Sequence, residues 1–288
     1  MVPAERRFLL ISILACYASA RVLQVITGPN PRLILVALDV LSALAFALID
    51  GARHYGIRGI VVFAAICLVV GNAIENLGIA TGFPFGHYRF LNVMGPKLFN
   101  VPILLGLAYI GMAYVSWTLA RTLLGHLSAR TGRLGILRLP LVAGLIMVAW
   151  DLAQDPVWST FLHAWVWQNA GPWFGVPLSN FAGWYVTVFL IYLFFSLYLR
   201  RTSVEKNARS ATMGPAVAFY ALCAAGNVLQ VWVAQPVSIV EDATGRRWPV
   251  ATILRASALV SIFVMGLFVM LSAARLRNRS RLEAKSCS

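Results

Sequence analysis

The sequence predicts an all-α, polytopic bundle of transmembrane helices, about eight in number, with an internal helix–loop–helix repeat. Three observations carry that prediction. Of 288 residues, 60% are hydrophobic and 12% charged, and the mean hydropathy is +0.77, a composition outside that of water-soluble domains. Apolar windows recur along the whole chain, each long enough to cross a hydrocarbon core that takes roughly 20 helical residues. Between them, cationic residues are dense in alternate loops, as a chain threading back and forth requires.

The windows fall near 8–26, 33–50, 57–79, 101–120, 136–155, 181–199, 213–233 and 250–274. The first follows Glu5-Arg6-Arg7 and ends at Ala18-Ser19-Ala20, a pattern that imitates a cleavable signal peptide. The second carries Asp39, expected to pair with Arg21 inside the bundle, and Asp50, expected beside Arg53 at the boundary. With the N-terminus inside, seventeen of the 24 Lys and Arg residues fall on the inner face, from Arg6 and Arg7 through Arg130, Arg133, Lys206 and Arg209 to Lys285. Only Arg32, Arg89, Lys97, Arg246 and Arg247 fall outside. This predicts a multi-pass protein of the cell membrane with both termini cytoplasmic. Residues 1–274 form a single transmembrane domain, and 275–288 a basic tail that meets the anionic lipid bilayer. The net charge of +14 is thereby a matter of topology; its separate short loops make no basic face, so nucleic acid is not an expected partner. Cys16, Cys67, Cys223 and Cys287 lack CxxC spacing, so they suggest neither a disulfide framework nor a zinc site.

A shift of 76 residues places Glu75 on Asp151, His87 on His163 and Gly95-Pro96 on Gly171-Pro172; after one deletion Val101-Pro102 falls on Val176-Pro177. Two related units follow, about 71–121 and 147–200, each with two spans and an intervening loop on the same outer side. The loops, 80–100 and 156–180, are long for simple connections and rich in aromatics, Gly and Pro. One reading of Phe83, Phe85, Tyr88, Trp165 and Trp173 is an interfacial aromatic belt. The other is a pocket for an extended apolar ligand, whose ring faces also steady a transient carbocation.

Glu75, Asp151 and Asp155 stand at the outer ends of spans three and five, where carboxylates are costly. Asp151 and Asp155, four apart, share a helical face. They serve either as caps and partners for Arg89 or Lys97, or as carboxyl groups that donate a proton and recover it through water. His87 and His163, with Glu75 and Asp151, make a metal site conceivable, but without HxxxH or HxxE spacing no metal is assigned. Asn76 and Asn180 are expected in interhelical hydrogen bonds or in orienting a water.

The segments Glu75-Asn76-Leu77-Gly78, Thr81-Gly82-Phe83-Pro84-Phe85-Gly86-His87-Tyr88, Gly95-Pro96-Lys97-Leu98-Phe99-Asn100-Val101-Pro102, Trp150-Asp151-Leu152-Ala153-Gln154-Asp155-Pro156 and Phe174-Gly175-Val176-Pro177-Leu178-Ser179-Asn180-Phe181-Ala182-Gly183-Trp184 resemble the carotenoid biosynthesis family of membrane proteins. That family includes CruF-type carotenoid 1,2-hydratases and bisanhydrobacterioruberin hydratase. The likeness is strongest from about 57 to 200. It implies addition of water to the terminal 1,2 double bond of an acyclic, lycopene-type carotenoid end group, giving a tertiary alcohol without a redox cofactor; other carotenoid-pathway enzymes are further candidate partners. Set beside the residues, it places Glu75 and Asp151 or Asp155 as acid and base. Phe83, Phe85, His87, Tyr88, Trp165, Trp173 and Asn180 would then line the end-group pocket. The competing expectation is a carotenoid or polyprenyl-lipid binding or transport protein without catalysis.

Overall fold

The computed structural model describes residues 4–28, 32–125, 135–202, 213–233 and 238–286. Arg130, Arg133, Lys206, Arg209 and Cys287, with the side chain of Lys285, lie outside the described residues. Among the described residues, eight α-helices organise the fold: α1 (Ala4–Ile26), α2 (Leu33–Thr81), α3 (Ile103–Leu124), α4 (Gly135–Pro156), α5 (Leu178–Arg201), α6 (Gly214–Leu229), α7 (Val250–Val260) and α8 (Gly266–Ser286). π-Helical turns extend α4 over Val157–Phe161 and join α7 to α8 over Ser261–Met265. The chain is an all-α polytopic bundle, with seven helical rods long and apolar enough to cross a membrane.

One of those rods crosses twice. Helix α2 runs for 49 residues, which at 1.5 Å per residue would span about 73 Å, more than twice a bilayer core. It is broken at Gly56, whose φ of 70° and ψ of 171° belong to a region essentially confined to glycine. The arms fold back on each other there, because a Cβ on Gly51 would lie 2.4 Å from the Ile60 side chain; nine residues along a straight helix those positions would stand about 13 Å apart. Both arms then pack on α3, the first through Asp50, which accepts from Tyr114 Oη at 2.7 Å, and the second through Glu75, which accepts from Tyr109 Oη at 2.6 Å. The separate windows at 33–50 and 57–79 are thus the arms of a helical hairpin, which gives the described residues eight helical segments of crossing length.

Helix α3 is enclosed on all sides from Tyr109 to Thr122, with Tyr109, Tyr114 and Trp117 fully buried, which accounts for an apolar sequence without a polar face. Helix α1 packs into the bundle through Tyr17, whose ring lies 4.6 Å from that of Phe219 in α6, and through the Arg21–Asp39 ion pair at 3.4 Å. At the opposite end, Asp50 meets Arg53 at 2.6 Å. The basic segment from Arg275 continues the last helix through to Ser286.

The loops between crossings carry short antiparallel pairs: β1 (Tyr88–Phe90) with β4 (Trp165–Trp167), β2 (Lys97–Leu98) with β3 (Val101–Pro102), and β5 (Ile239–Glu241) with β6 (Arg247–Pro249). The first pair joins the two repeat units and obeys their symmetry. Arg89 faces Val166 and Phe90 faces Trp165; the 76-residue shift turns one of these pairings into the other, as a local two-fold axis demands. The hairpin that follows is also repeated. Leu98 pairs with Val101, Trp173 with Val176, and the intervening Phe99 and Phe174 both take positive φ, 54° and 49°. Pro102 and Pro177 then precede α3 and α5 in matching extended geometry.

Candidate functional site

The repeat brings its carboxyl groups to one region beneath the β1–β4 ribbon. Glu75, Asp151 and Asp155 are 2%, 4% and 1% exposed, and among the described residues none of them forms an ion pair. Lys97, a partner expected from sequence, instead donates to the Phe90 carbonyl at 2.7 Å. Carboxyl groups at such depth without an ion-pair partner are expensive, which makes this cluster the candidate site.

Each carboxyl is held differently. Glu75, on the second arm of α2, accepts from Tyr109 at Oε1 and from Tyr88 at Oε2. Tyr88 stands on β1, in the loop outside the membrane-spanning helices, and burial, followed by the neighbouring Glu75 carboxyl, pushes its pKa well above the ordinary value. On α4, one turn separates Asp151 from Asp155, and Asn180 of α5 bridges them, donating to Asp155 Oδ2 and reaching Asp151 Oδ2 at 3.5 Å. Trp165 Nε1 closes Asp155 Oδ1 at 3.1 Å. Asp151 is the least restrained of the three.

Two adjoining cavities share Leu105, Asp155, Trp165 and Trp184 as walls. The smaller, about 20 Å³, contains Glu75, Phe85, Tyr88, Phe90, Trp167 and Asn180. The larger, about 90 Å³, runs past Trp150, Asp151, Gln154 and Trp158 to Arg21 and Asp39. Aromatic rings thus surround the carboxyls, which suits a ligand that is apolar and passes through a cationic state. The Phe85 ring is wedged between α2 and α5: a Cβ on Gly78 would lie 2.6 Å from it, and one on Gly183 2.7 Å. Close backbone approach therefore fixes the pocket's edge.

Seven of the ten expected site residues face these cavities: Glu75, Asp151, Asp155, Phe85, Tyr88, Trp165 and Asn180. Three expected lining residues do not. Phe83 is 70% exposed, because the turn after α2 directs it away from the bundle. His87 stacks over Gly82, whose added Cβ would lie 2.7 Å from Nε2, and lines neither cavity. Trp173 donates to the Leu152 carbonyl at 3.1 Å and pins α4 from outside. His163 lies in a third cavity with Ser159, Thr160 and Asp242, and no group of three or more His, Cys, Asp or Glu converges as a metal site among the described residues.

Sequence reasoning missed Tyr109 and Trp184, whose rings stack at 4.6 Å and 1°. The deletion-adjusted register places one on the other, so they meet near the local axis. That register was the signal that would have found them. Gln154 and Trp150 were also missed as lining residues, though they flank Asp151 in sequence.

Residues 32–242, well over half of the chain, match the protein family described as carotenoid biosynthesis protein. The match takes in the first arm of α2 and all of α6, and ends before α7. A curated relative, a bisanhydrobacterioruberin hydratase of Haloarcula japonica, is 28% identical over 137 residues, covering 47% of this chain and 44% of the relative. The likeness therefore spans less than half of that relative's length. No solved structure matches the chain.

Proposed function

We propose that this chain, which belongs to the carotenoid biosynthesis protein family, adds water to the terminal 1,2 double bond of an acyclic, lycopene-type carotenoid end group. The supporting observation is that both repeat units deliver buried carboxyls without ion-pair partners to two adjoining aromatic cavities that share Asp155 as a wall. A carboxyl of this cluster gives its proton to C2, forming the C2–H bond and leaving a tertiary cation at C1. The faces of Trp165, Trp184 and Tyr88 stabilise that cation. Water attacks C1, the C1–O bond forms, and the proton released by water returns to the carboxyl cluster. The relative's name, a hydratase, supports the reaction class. The loops' charge asymmetry supports a cell-membrane protein with both termini cytoplasmic.

The test is expression in a lycopene-producing bacterium, with mass spectrometry of the extracted carotenoids. Lycopene should gain the mass of one or two waters, and Glu75→Gln should abolish the gain while the protein still accumulates in the membrane. Tight carotenoid binding with unchanged mass would replace the enzyme with a binding or transport protein.

A further inference from the structure

The larger cavity has a second polar wall that the carboxyl cluster does not explain. Arg21 of α1, Asp39 on the first arm of α2 and Gln154 of α4 line it together with Asp151 and Asp155. Arg21 and Gln154 are 4% and 5% exposed. The group is tied by hydrogen bonds. Arg21 donates to Gln24 Oε1 at 3.0 Å, Asp39 Oδ2 at 3.4 Å and Asn227 Oδ1 at 2.9 Å. Gln24 donates to Asp39 Oδ2 at 2.7 Å, Gln154 to Asn227 Oδ1 at 2.7 Å, and Asn227 to Ser261 Oγ at 3.0 Å.

Two acceptors are left over. Asp39 Oδ1 and Gln154 Oε1 are buried and receive no hydrogen bond among the described residues. An ion pair present only for packing gains nothing from spare acceptors, which cost the desolvation of each group. Two acceptors along one cavity wall suit a small molecule with two O–H donors.

We propose that Asp39 and Gln154 hold the water consumed in the reaction, a proposal that rests on the hydration reading. The water donates one O–H to Gln154 Oε1 and the other to Asp39 Oδ1, which leaves its lone pairs facing the cavity. When the cation forms at C1, the C1–O bond is made, the O–H bond towards Asp39 breaks, and its proton passes to Asp39 Oδ1. Asp39 later returns that proton to the carboxyl cluster along the same cavity. Asp39 is then the first acceptor of the water's proton, and Gln154 is a positioning residue.

The test separates cation formation from water capture. The full-length protein, in membranes containing lycopene, is incubated in D2O, and the carotenoids are analysed by mass. A cation that is captured yields alcohol with deuterium at C2. A cation that is not captured and loses a protium, from C2 or from a methyl on C1, leaves as a lycopene isomer carrying one deuterium, the deuterated lycopene counted by mass. Wild-type protein should yield mainly alcohol. In Gln154→Met, which cannot hold the water, and in the near-isosteric Asp39→Asn, which cannot take its proton, the ratio of deuterated lycopene to alcohol should rise roughly tenfold or more. Being a ratio, it does not depend on how much variant protein folds. An unchanged ratio in both variants overturns the proposal, as does parallel loss of both products in both variants. Wild-type protein that yields neither product refutes the hydration reading itself, a distinct result.

Discussion

The two repeat units share a backbone and differ in what surrounds their carboxyls. In the first, Glu75 is a single group clamped by two phenols, Tyr88 and Tyr109. In the second, Asp151 has acquired a neighbour, Asp155, and the pair leans on one amide and one indole, from Asn180 and Trp165. The repeat thus supplies symmetric scaffolding, while different residues inside it make the two carboxyl sites unequal. Enzymes that give and recover a proton in one pocket need that inequality, because two titratable groups in matched surroundings cannot take opposite roles.

The largest expected effect tests the inequality directly. Glu75→Gln should cut hydration by about 10³-fold, whereas Asp151→Asn or Asp155→Asn alone should cost roughly ten- to a hundredfold, since the surviving member of the pair still carries a proton. Alcohol yield per unit of membrane protein measures this, and equal losses at all three positions would erase the distinction between the units. Next come the clamps. Tyr109→Phe and Tyr88→Phe each remove one donor from Glu75 and should lower turnover about tenfold, at a stability cost on the order of 1–3 kcal/mol. Asn180→Leu, which strips the bridge from the second unit, should be at least as damaging, because two carboxyls lose their common donor.

A smaller effect comes from packing at the pocket's edge. Gly183→Ala would press a methyl within 2.7 Å of Phe85 and should lower the midpoint of thermal unfolding in detergent by several degrees, with Gly78→Ala similar. If only one of the two matters, the Phe85 wedge belongs to one unit rather than to their junction. The smallest effect concerns the β5–β6 hairpin, outside the repeat. Desolvation raises the Asp242 pKa, but donors from Trp248 and Thr244 outweigh it and hold the carboxyl below its ordinary value. A group so shifted stabilises the hairpin above its unfolded-state value, near 4, and that contribution disappears as pH falls through the depressed value. Trp248 fluorescence should accordingly be flat from pH 8 to about 5 and change only below about 4. A change near neutral pH would contradict this.

Much of the fold was legible because hydropathy reports burial in lipid directly, and the reversal near residue 56 was marked by Asp50, Arg53 and Arg58 between two apolar windows. The repeat was legible because both hairpins need the same Gly-Pro and Val-Pro turns. The carboxyl sites were found because a membrane makes an acidic residue conspicuous. What escaped was direction. Phe83 and Phe85 are two residues apart in an aromatic loop, yet one faces outwards and the other is 1% exposed. Composition cannot separate them; only the turn geometry does. Tyr109 and Trp184 escaped because an aromatic in an apolar helix looks the same whether it faces lipid, core or site. The Arg21–Asn227 bond joins residues 206 apart, a separation that no local pattern reports.

The reversal at Gly56 also governs the parity of the whole chain. A helix that doubles back within itself adds a crossing without adding a loop, and it is this crossing that makes the count even. In a chain that crosses at every such segment, an even count would place both described ends on one face and set each later segment in the opposite sense to the one it would otherwise take. The two repeat loops share a compartment whatever happens at residue 56, since both follow it. Which compartment they share depends on a single glycine having turned the chain around.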